Sequence, residues 1–355
     1  MQKVPLGARI NYVIGSGQWG VFLRDSGSVQ HRAQPGRAQK RRAPVSSTLA
    51  LFAMSETCRL CNCPSILRDS HVVPSFVFRQ HKKTSATGYL RYGQSPNRRV
   101  QDGIRKKWLC DGCEARLSLW EDVFARKVFH PLIANPGQTI SYREWMARFC
   151  VSVSWRVLLH YAEEDQLKHL TPSQAALAEN ALAHWAAFLR GEEPSSGPYD
   201  QHFISIDAVV PAEPSQPPAN LTRYVRRSID LDIPSNGDEV FVYAKLMKFL
   251  VIGFIKIDYV NEWIGTRVDE KKGRVGMGSF EAPIGLGQYI FDRCSRYSEL
   301  QGSISPAQRT KIATSVHSDW NRAKRSETFE AINNDIRLFG DDAVRKEREG
   351  GERER

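Results

Sequence analysis

The sequence predicts an α+β fold, with a cysteine-rich module ahead of a larger body of helices and antiparallel strands. Three observations carry that expectation. Two C-x-x-C pairs, Cys58/Cys61 and Cys110/Cys113, bracket a basic segment that ends in helical spacing. Residues 141–191 place apolar side chains at helical intervals, and residues 203–290 contain strand-length apolar pieces bounded by Pro and Gly. A chain of 355 residues can bury a sizeable core in roughly one to three domains.

In order along the chain, residues 1–53 read as a flexible extension rich in Gly, Gln, Arg and Ser, with neither helical nor strand periodicity over Gln30–Arg42. Gly15–Gly20 matches G-x-G-x-x-G, but no helix pattern or suitably spaced acid follows, so it does not read as a dinucleotide loop. An Arg-rich, acid-poor leader could be a transit peptide, though no amphipathic helix supports it; the simpler reading takes Met54 as the natural start. Residues 54–131 form the cysteine module. Its second half carries Leu117, Trp120, Phe124 and Val128 on one helical face, starting at the second cysteine pair.

Residues 132–341 form the body. Its first part, 141–191, is helical, with Phe149, Val153, Val157 and Tyr161 on one face. Thr171-Pro172-Ser173-Gln174 is a capping box with proline at the first helical position, and Gly191 is the matching stop. The β-rich part, 203–290, offers strands at Phe203–Val210, Leu221–Leu231, Val240–Leu246 and Phe249–Tyr259, the last two joined by a tight turn. Gly273–Gly287 reads as loop. Residues 305–340 are helical again, from the Ser305-Pro306-Ala307-Gln308 capping box through a last helix with Phe329, Ile332 and Ile336 that ends at Gly340. Residues 342–355 are a charged, disordered tail.

Composition narrows the partners. No apolar run approaches the roughly 18–20 residues a membrane helix needs, so no membrane partner is expected. The most apolar stretch, Glu239–Tyr259, is interrupted by Lys245, Lys248 and Lys256 and reads as a strand pair. The net charge of +11 is unevenly spread. Residues 1–53 hold eight Lys/Arg against one Asp, and 54–130 hold fourteen against seven acids, which leaves 131–355 net acidic. A polyanion would therefore dock on the cysteine module, and the acidic balance of the body argues against it as the main nucleic-acid surface.

Seven cysteines with two C-x-x-C pairs fit a reducing, intracellular (cytoplasmic) setting with metal-bound thiolates better than a secreted disulfide scaffold. Zinc takes four soft ligands in a tetrahedron, and a C-x-x-C turn supplies two thiolates at the correct separation. Cys58, Cys61, Cys110 and Cys113 are therefore the expected ligands of one structural zinc. Redox chemistry is disfavoured because no βαβ context surrounds Cys58. Cys63 reads as a spare thiol, Cys150 and Cys294 as core residues. His130, His160, His169, His184, His202 and His317 show no ligand-like pairing.

The run Cys58-x2-Cys61-x9-His71-Val-Val-Pro, followed by Leu109-Cys110-x2-Cys113-Glu114, resembles the zinc-stabilised HNH endonucleases over about residues 56–130. The resemblance implies a ββα module with the zinc beside a catalytic centre. His71 would be the general base, Glu114 a ligand of a catalytic magnesium or manganese ion, and DNA or RNA the substrate. The sequence departs from the family in two places. Ser70 stands where an acidic ligand is usual, with Asp69 beside it, and Glu114 replaces Asn or His; Asn97 is a candidate for the family's middle residue. Lys82, Lys83, Arg98, Arg99, Arg105, Lys106 and Lys107 are the expected backbone clamp, with Arg79 and His81 nearby, and Tyr89, Tyr92 and Trp108 are candidate stacking surfaces. The same basic segment equally reads as a solvated loop. His71 equally reads as a histidine that stabilises the fold beside the zinc loop, or as a zinc ligand itself. Two other functions stay open: a nuclease-derived module that binds nucleic acid without cutting it, and a protein-interaction adaptor with a protein partner on residues 132–341.

Overall fold

The computed structural model describes residues 56–93, 95–206, 217–237, 239–258, 260–276 and 280–344. The extension 1–53, Met54, the end of the strand expected over Phe203–Val210, and residues 345–355 of the expected tail lie outside them; the first tail residues, 342–344, are ordered instead, because the Ala343 carbonyl accepts from Arg223 Nη2. The fold is mixed helix and sheet, and among the described residues every strand pairing is antiparallel, as expected of the α+β class.

A small ribbon of β1 (Glu56–Thr57) and β2 (Pro64–Ser65) flanks the first cysteine pair. Next come β3 (Arg68–His71), α1 (Ser75–Lys83), the hairpin of β4 (Leu90–Tyr92) and β5 (Ser95–Val100), β6 (Arg105–Leu109) and α2 (Asp111–Phe124). β3 pairs with β6, His71 opposite Arg105, and β6 leads directly into α2. The module is therefore a ββα unit with α1 and the β4–β5 hairpin inserted between its strands. A π turn over Ala125–Phe129 carries α2 into α3 (His130–Ala134).

The body holds β7 (Thr139–Arg143), α4 (Trp145–Glu163), α5 (Pro172–Arg190), β8 (Gln201–Ser205), α6 (Leu221–Arg227), β9 (Ile229–Asp232), β10 (Val240–Leu246), β11 (Phe249–Lys256) and β12 (Lys272–Gly276). The chain closes with α7 (Ile284–Gly302), α8 (Pro306–Ser318), α9 (Trp320–Lys324) and α10 (Glu327–Phe339). The α5 capping box forms as read, with Thr171 Oγ1 accepting from the Gln174 amide, and Gly191 closes the helix at φ +86°. Ser305 begins α8 with proline at its first position but makes no side-chain cap bond.

The main sheet runs β8–β11–β10–β9 and is covered on both faces. Phe203, Val242, Ala244, Phe249 and Val251 point into one core with α4 and α5, which continues to Cys58, Leu60 and Leu109 of the cysteine module. Ile204, Phe241, Tyr243, Ile252 and Phe254 point into a second core with α6 and α7. Double coverage explains why Glu239–Tyr259 reads as an apolar run and not as an alternation. Lys245 inside that run is buried, and its Nζ donates to the carbonyls of Val225, Ser228 and Met247. Burial pulls its pKa down to about 7.

Two elements differ from the sequence reading. Leu221–Leu231 is not one strand: its first part is α6, and only Ile229–Asp232 is strand. The helix starts there because Asp335 of α10 accepts the amide N–H groups of Thr222 and Arg223 at 2.6 and 3.1 Å, a cap supplied from the far end of the chain. Gly273–Gly287 is not all loop either, since it includes most of β12 and the start of α7. Gly273 sits where a Cβ would fall 2.2 Å from the Tyr142 hydroxyl, so this strand glycine permits close approach to the opposing β7 residue.

One buried ion pair ties α4 to the module. Arg156 Nη1 lies 2.6 Å from Glu121 Oε1 on α2 and donates to the His71 carbonyl at 2.9 Å. Arg156→Met strands a carboxylate and a carbonyl, and should cost about 3 kcal/mol in urea denaturation. A loss below about 1 kcal/mol would show that the pair does not hold this junction.

Candidate metal centre

The metal centre begins with two turns. Asn62 adopts the left-handed conformation at φ +59°, and the chain curls so that the Asn62 amide donates to the Cys58 carbonyl and the Cys58 amide to the Cys63 carbonyl. The Arg59 amide donates to the Trp108 carbonyl at 2.8 Å, which fixes this first turn to β6. The second pair opens α2: Cys110 stands at the N-cap in extended conformation and Cys113 in the first turn, where unpaired amides and the helix dipole favour anionic sulfur. The Cys110 amide donates to Cys58 Sγ at 3.4 Å across the site. From α5, Arg190 Nη1 donates to the Leu60 carbonyl at 2.8 Å.

The four ligating sulfurs all lie within 4.8 Å of one another, and Cys61 Sγ and Cys110 Sγ are 3.7 Å apart. A tetrahedron with Zn–S bonds of about 2.3 Å has edges of about 3.8 Å, so Cys58, Cys61, Cys110 and Cys113 can hold a metal ion such as zinc. Burial raises the Cys58 thiol, but the amides of Cys61, Cys110 and Leu60 outweigh it and bring its pKa to about 7. Burial and the neighbouring sulfurs push Cys110 and Cys113 upward; a divalent cation bound there would offset the repulsion of four thiolates in one small volume. Cys63 is exposed, its thiol directed at the Cys61 carbonyl, while Cys150 and Cys294 are buried in the two cores.

Beside the sulfurs, β3 presents its side chains alternately. Ser70 is fully buried and its Oγ donates to Glu114 Oε2 on α2 at 2.5 Å. His71 lies opposite Arg105 in the ladder, with its Nε2 2.9 Å from Asp102 Oδ2 and 3.2 Å from Arg105 Nε. Arg105 also donates to Asp102 at 2.7 Å. His71 is thus held by a carboxylate and is not a fifth member of the sulfur cluster. Burial tends to raise the Asp102 carboxyl, but Arg105, His71 and the Gly103 amide together hold it at about 2. Asp102 was not singled out in the sequence; the Asp-Gly dipeptide marks a turn, but its partners follow from the β3–β6 pairing. Gly103 is needed there, because a Cβ would fall 2.2 Å from the Phe78 ring.

The remaining candidates divide. Lys106 pairs with Glu164, and Lys82 donates to the Gln101 carbonyl. Arg99 stacks over Tyr89 at 3.9 Å from the ring centre. Lys83, Arg98 and Lys107 are exposed. The Tyr92 hydroxyl donates to the Asp102 carbonyl. Trp108 is no stacking surface: it is 2 % exposed, with Nε1 donating to Glu163. Asn97 is bonded to Ser303 and Ser305 in the hairpin, with no bond to Glu114 or His71. His81 is tied to the Arg227 carbonyl; burial and the Arg227 charge pull its pKa down to about 3.

No family model matches this chain, and no curated protein or solved structure is significantly similar to it. Among the described residues, no helix is long and apolar enough to cross a membrane.

Metal analysis of the purified chain should find one zinc per molecule, and Cys113→Ser should lower that content and the melting temperature together. An unchanged melting temperature after chelation would argue against a structural metal. A second expectation follows from Asp102. Its depressed pKa adds stability that is full above about pH 4, the ordinary carboxyl value, and is lost as pH falls toward 2. Asp102→Asn should therefore cost about 2 kcal/mol at pH 7, and the gap to the parent protein, read by urea denaturation, should close over that acid window.

Proposed function

We propose that the protein is a metal-dependent, sequence-tolerant endonuclease built on an HNH-like ββα module, with zinc on the four cysteines as its frame. The observation that carries this reading is the hydrogen bond between positions 70 and 114 at 2.5 Å, with His71, on the alternate side of the same strand, seated on Asp102. Those are the positions at which the resemblance calls for metal ligands and a base. With Nε2–H given to Asp102, the imidazole leaves Nδ1 to take a proton from water, as a general base near neutral pH requires. Glu114, helped by Asp69, would hold magnesium or manganese, which would stabilise charge on the leaving oxygen. Arg105, 3.2 Å from the imidazole, offers a guanidinium to a phosphate oxygen.

A second reading has its own support. Ser70 is neutral where the family has an acid, and its hydrogen bond already engages Glu114. Among the described residues, only the cysteine set brings three or more strong ligating groups together. That favours a module that binds DNA or RNA without cutting it.

Plasmid DNA and RNA incubated with the protein and magnesium or manganese should be nicked. His71→Ala should lower the rate at least about 100-fold while leaving retention on nucleic acid intact. Retention without cleavage by the parent protein would select the binding module.

A further inference from the structure

We infer that α8 and α9 join the β4–β5 hairpin in one continuous basic face that holds the phosphate backbone of a nucleic acid. The inference rests on the nucleic-acid reading above and adds a second half to its binding surface.

The two halves are distant in sequence. Residues 79–107 carry nine Lys/Arg against Asp102 alone, and residues 306–326 carry five against Asp319 alone. The fold brings them together. Arg91 donates to Gln308 Oε1 at 3.0 Å, and Asn97 accepts the Ser305 amide at 2.8 Å and donates to the Ser303 carbonyl. Arg322 donates to the carbonyls of Ser85 and Lys82, and the Glu327 amide donates to the Thr84 carbonyl. Gly88, at φ +76°, leaves the space the Arg322 guanidinium occupies: a Cβ there would lie 2.6 Å from it.

Every one of these contacts is neutral or runs to backbone, so none offsets the like charge they bring together. By contrast, three exposed arginines elsewhere, Arg68, Arg126 and Arg267, each face a carboxylate. Among the described residues, Lys83, Arg98, Arg99, Lys107, Lys311, Arg322, Lys324 and Arg325 have no ion-pair partner. Of the nearby acids, Asp102 is paired with His71 and Arg105 and Glu327 with Arg227, while Asp319 accepts the Arg322 amide. Two like-charged segments docked without counter-charge repel, and an extended polyanion relieves that repulsion along its whole length.

α8 supports the same conclusion, because it buries no side chain and so contributes little to the core. The face is also continuous with the candidate centre, since Lys82 holds Gln101 and the next residue, Asp102, holds His71. The acidic character of residues 131–355 lies outside the 306–326 segment.

Fluorescence anisotropy of the full chain with labelled duplex DNA and RNA, from 50 to 300 mM salt, tests the inference. Three variants change charge equally: K324E/R325E on α9 and its cap, R98E/R99E on the hairpin, and K271E/K272E at the start of β12 as control. The first two should each weaken binding about tenfold at 100 mM salt and flatten the slope of log K against log salt by about 1 to 2, with the control near the parent. If R98E/R99E weakens binding while K324E/R325E matches the control, this inference falls and the nucleic-acid reading stands. If the parent binds neither nucleic acid at 50 mM salt, both fall. Binding to phosphatidylserine vesicles or polyglutamate with the same variant pattern, but not to nucleic acid, would assign the face to another polyanion and overturn the inference. Should K324E/R325E shift the melting curve, K324Q/R325Q replaces it, with half the change in slope expected.

Discussion

Four cysteine sulfurs, placed within 4.8 Å of one another where they could hold one metal ion, bring together the two ends of a 48-residue loop, 62–109. Closing a flexible loop of that length costs about 3.5 kcal/mol of chain entropy, which thiolate–zinc bonds can offset several times over. With the ends joined, β3 lies beside β6 and α2 starts at the second cysteine pair. The meeting of Ser70 with Glu114 and the seating of His71 on Asp102 follow from that register. A one-residue slip would turn His71 to the other face of the ladder.

The body supports this small unit through one uninterrupted core. Buried apolar residues extend from Cys58 and Leu60 through α4 and α5 to β10 and β11, and Arg190 and Arg156 add polar ties at the cysteine turn and beneath His71. On the far side of the sheet, one set of buried charges is mutually paired. Arg293 joins Asp230 and Asp232, and the hydroxyls of Tyr224 and Tyr289 donate to the same two carboxylates. Such networks hold one arrangement of the sheet and α7, since a partner removed leaves a charge stranded.

Charge is divided with equal regularity. Arg68, Arg126 and Arg267 each face a carboxylate, whereas Arg91 and Arg322 reach across between the hairpin region and the α8–α9 segment to amide and backbone oxygens. Much of the net charge of +11 belongs to residues 1–53; within the described residues, segments 79–107 and 306–326 are the basic ones that the fold brings together.

The sequence by itself determined the features that are local. The paired cysteines, the α5 capping box at Thr171, the glycine stop at 191, the hairpin of Val240–Leu246 with its partner strand, and the helix leaving Cys113 are each set by spacing within a few residues. Only the tertiary structure decided what depends on distant partners. Asp335 caps α6 across more than a hundred residues, and β12 is a strand because β7 pairs with it. Asp102 reaches His71 because β6 lies beside β3, and residues 306–326 share a face with the hairpin because Arg322 fits against Gly88. The division has one physical cause: propensity and capping act over a single turn, whereas hydrogen-bond partners and summed charge depend on which segments the core brings side by side.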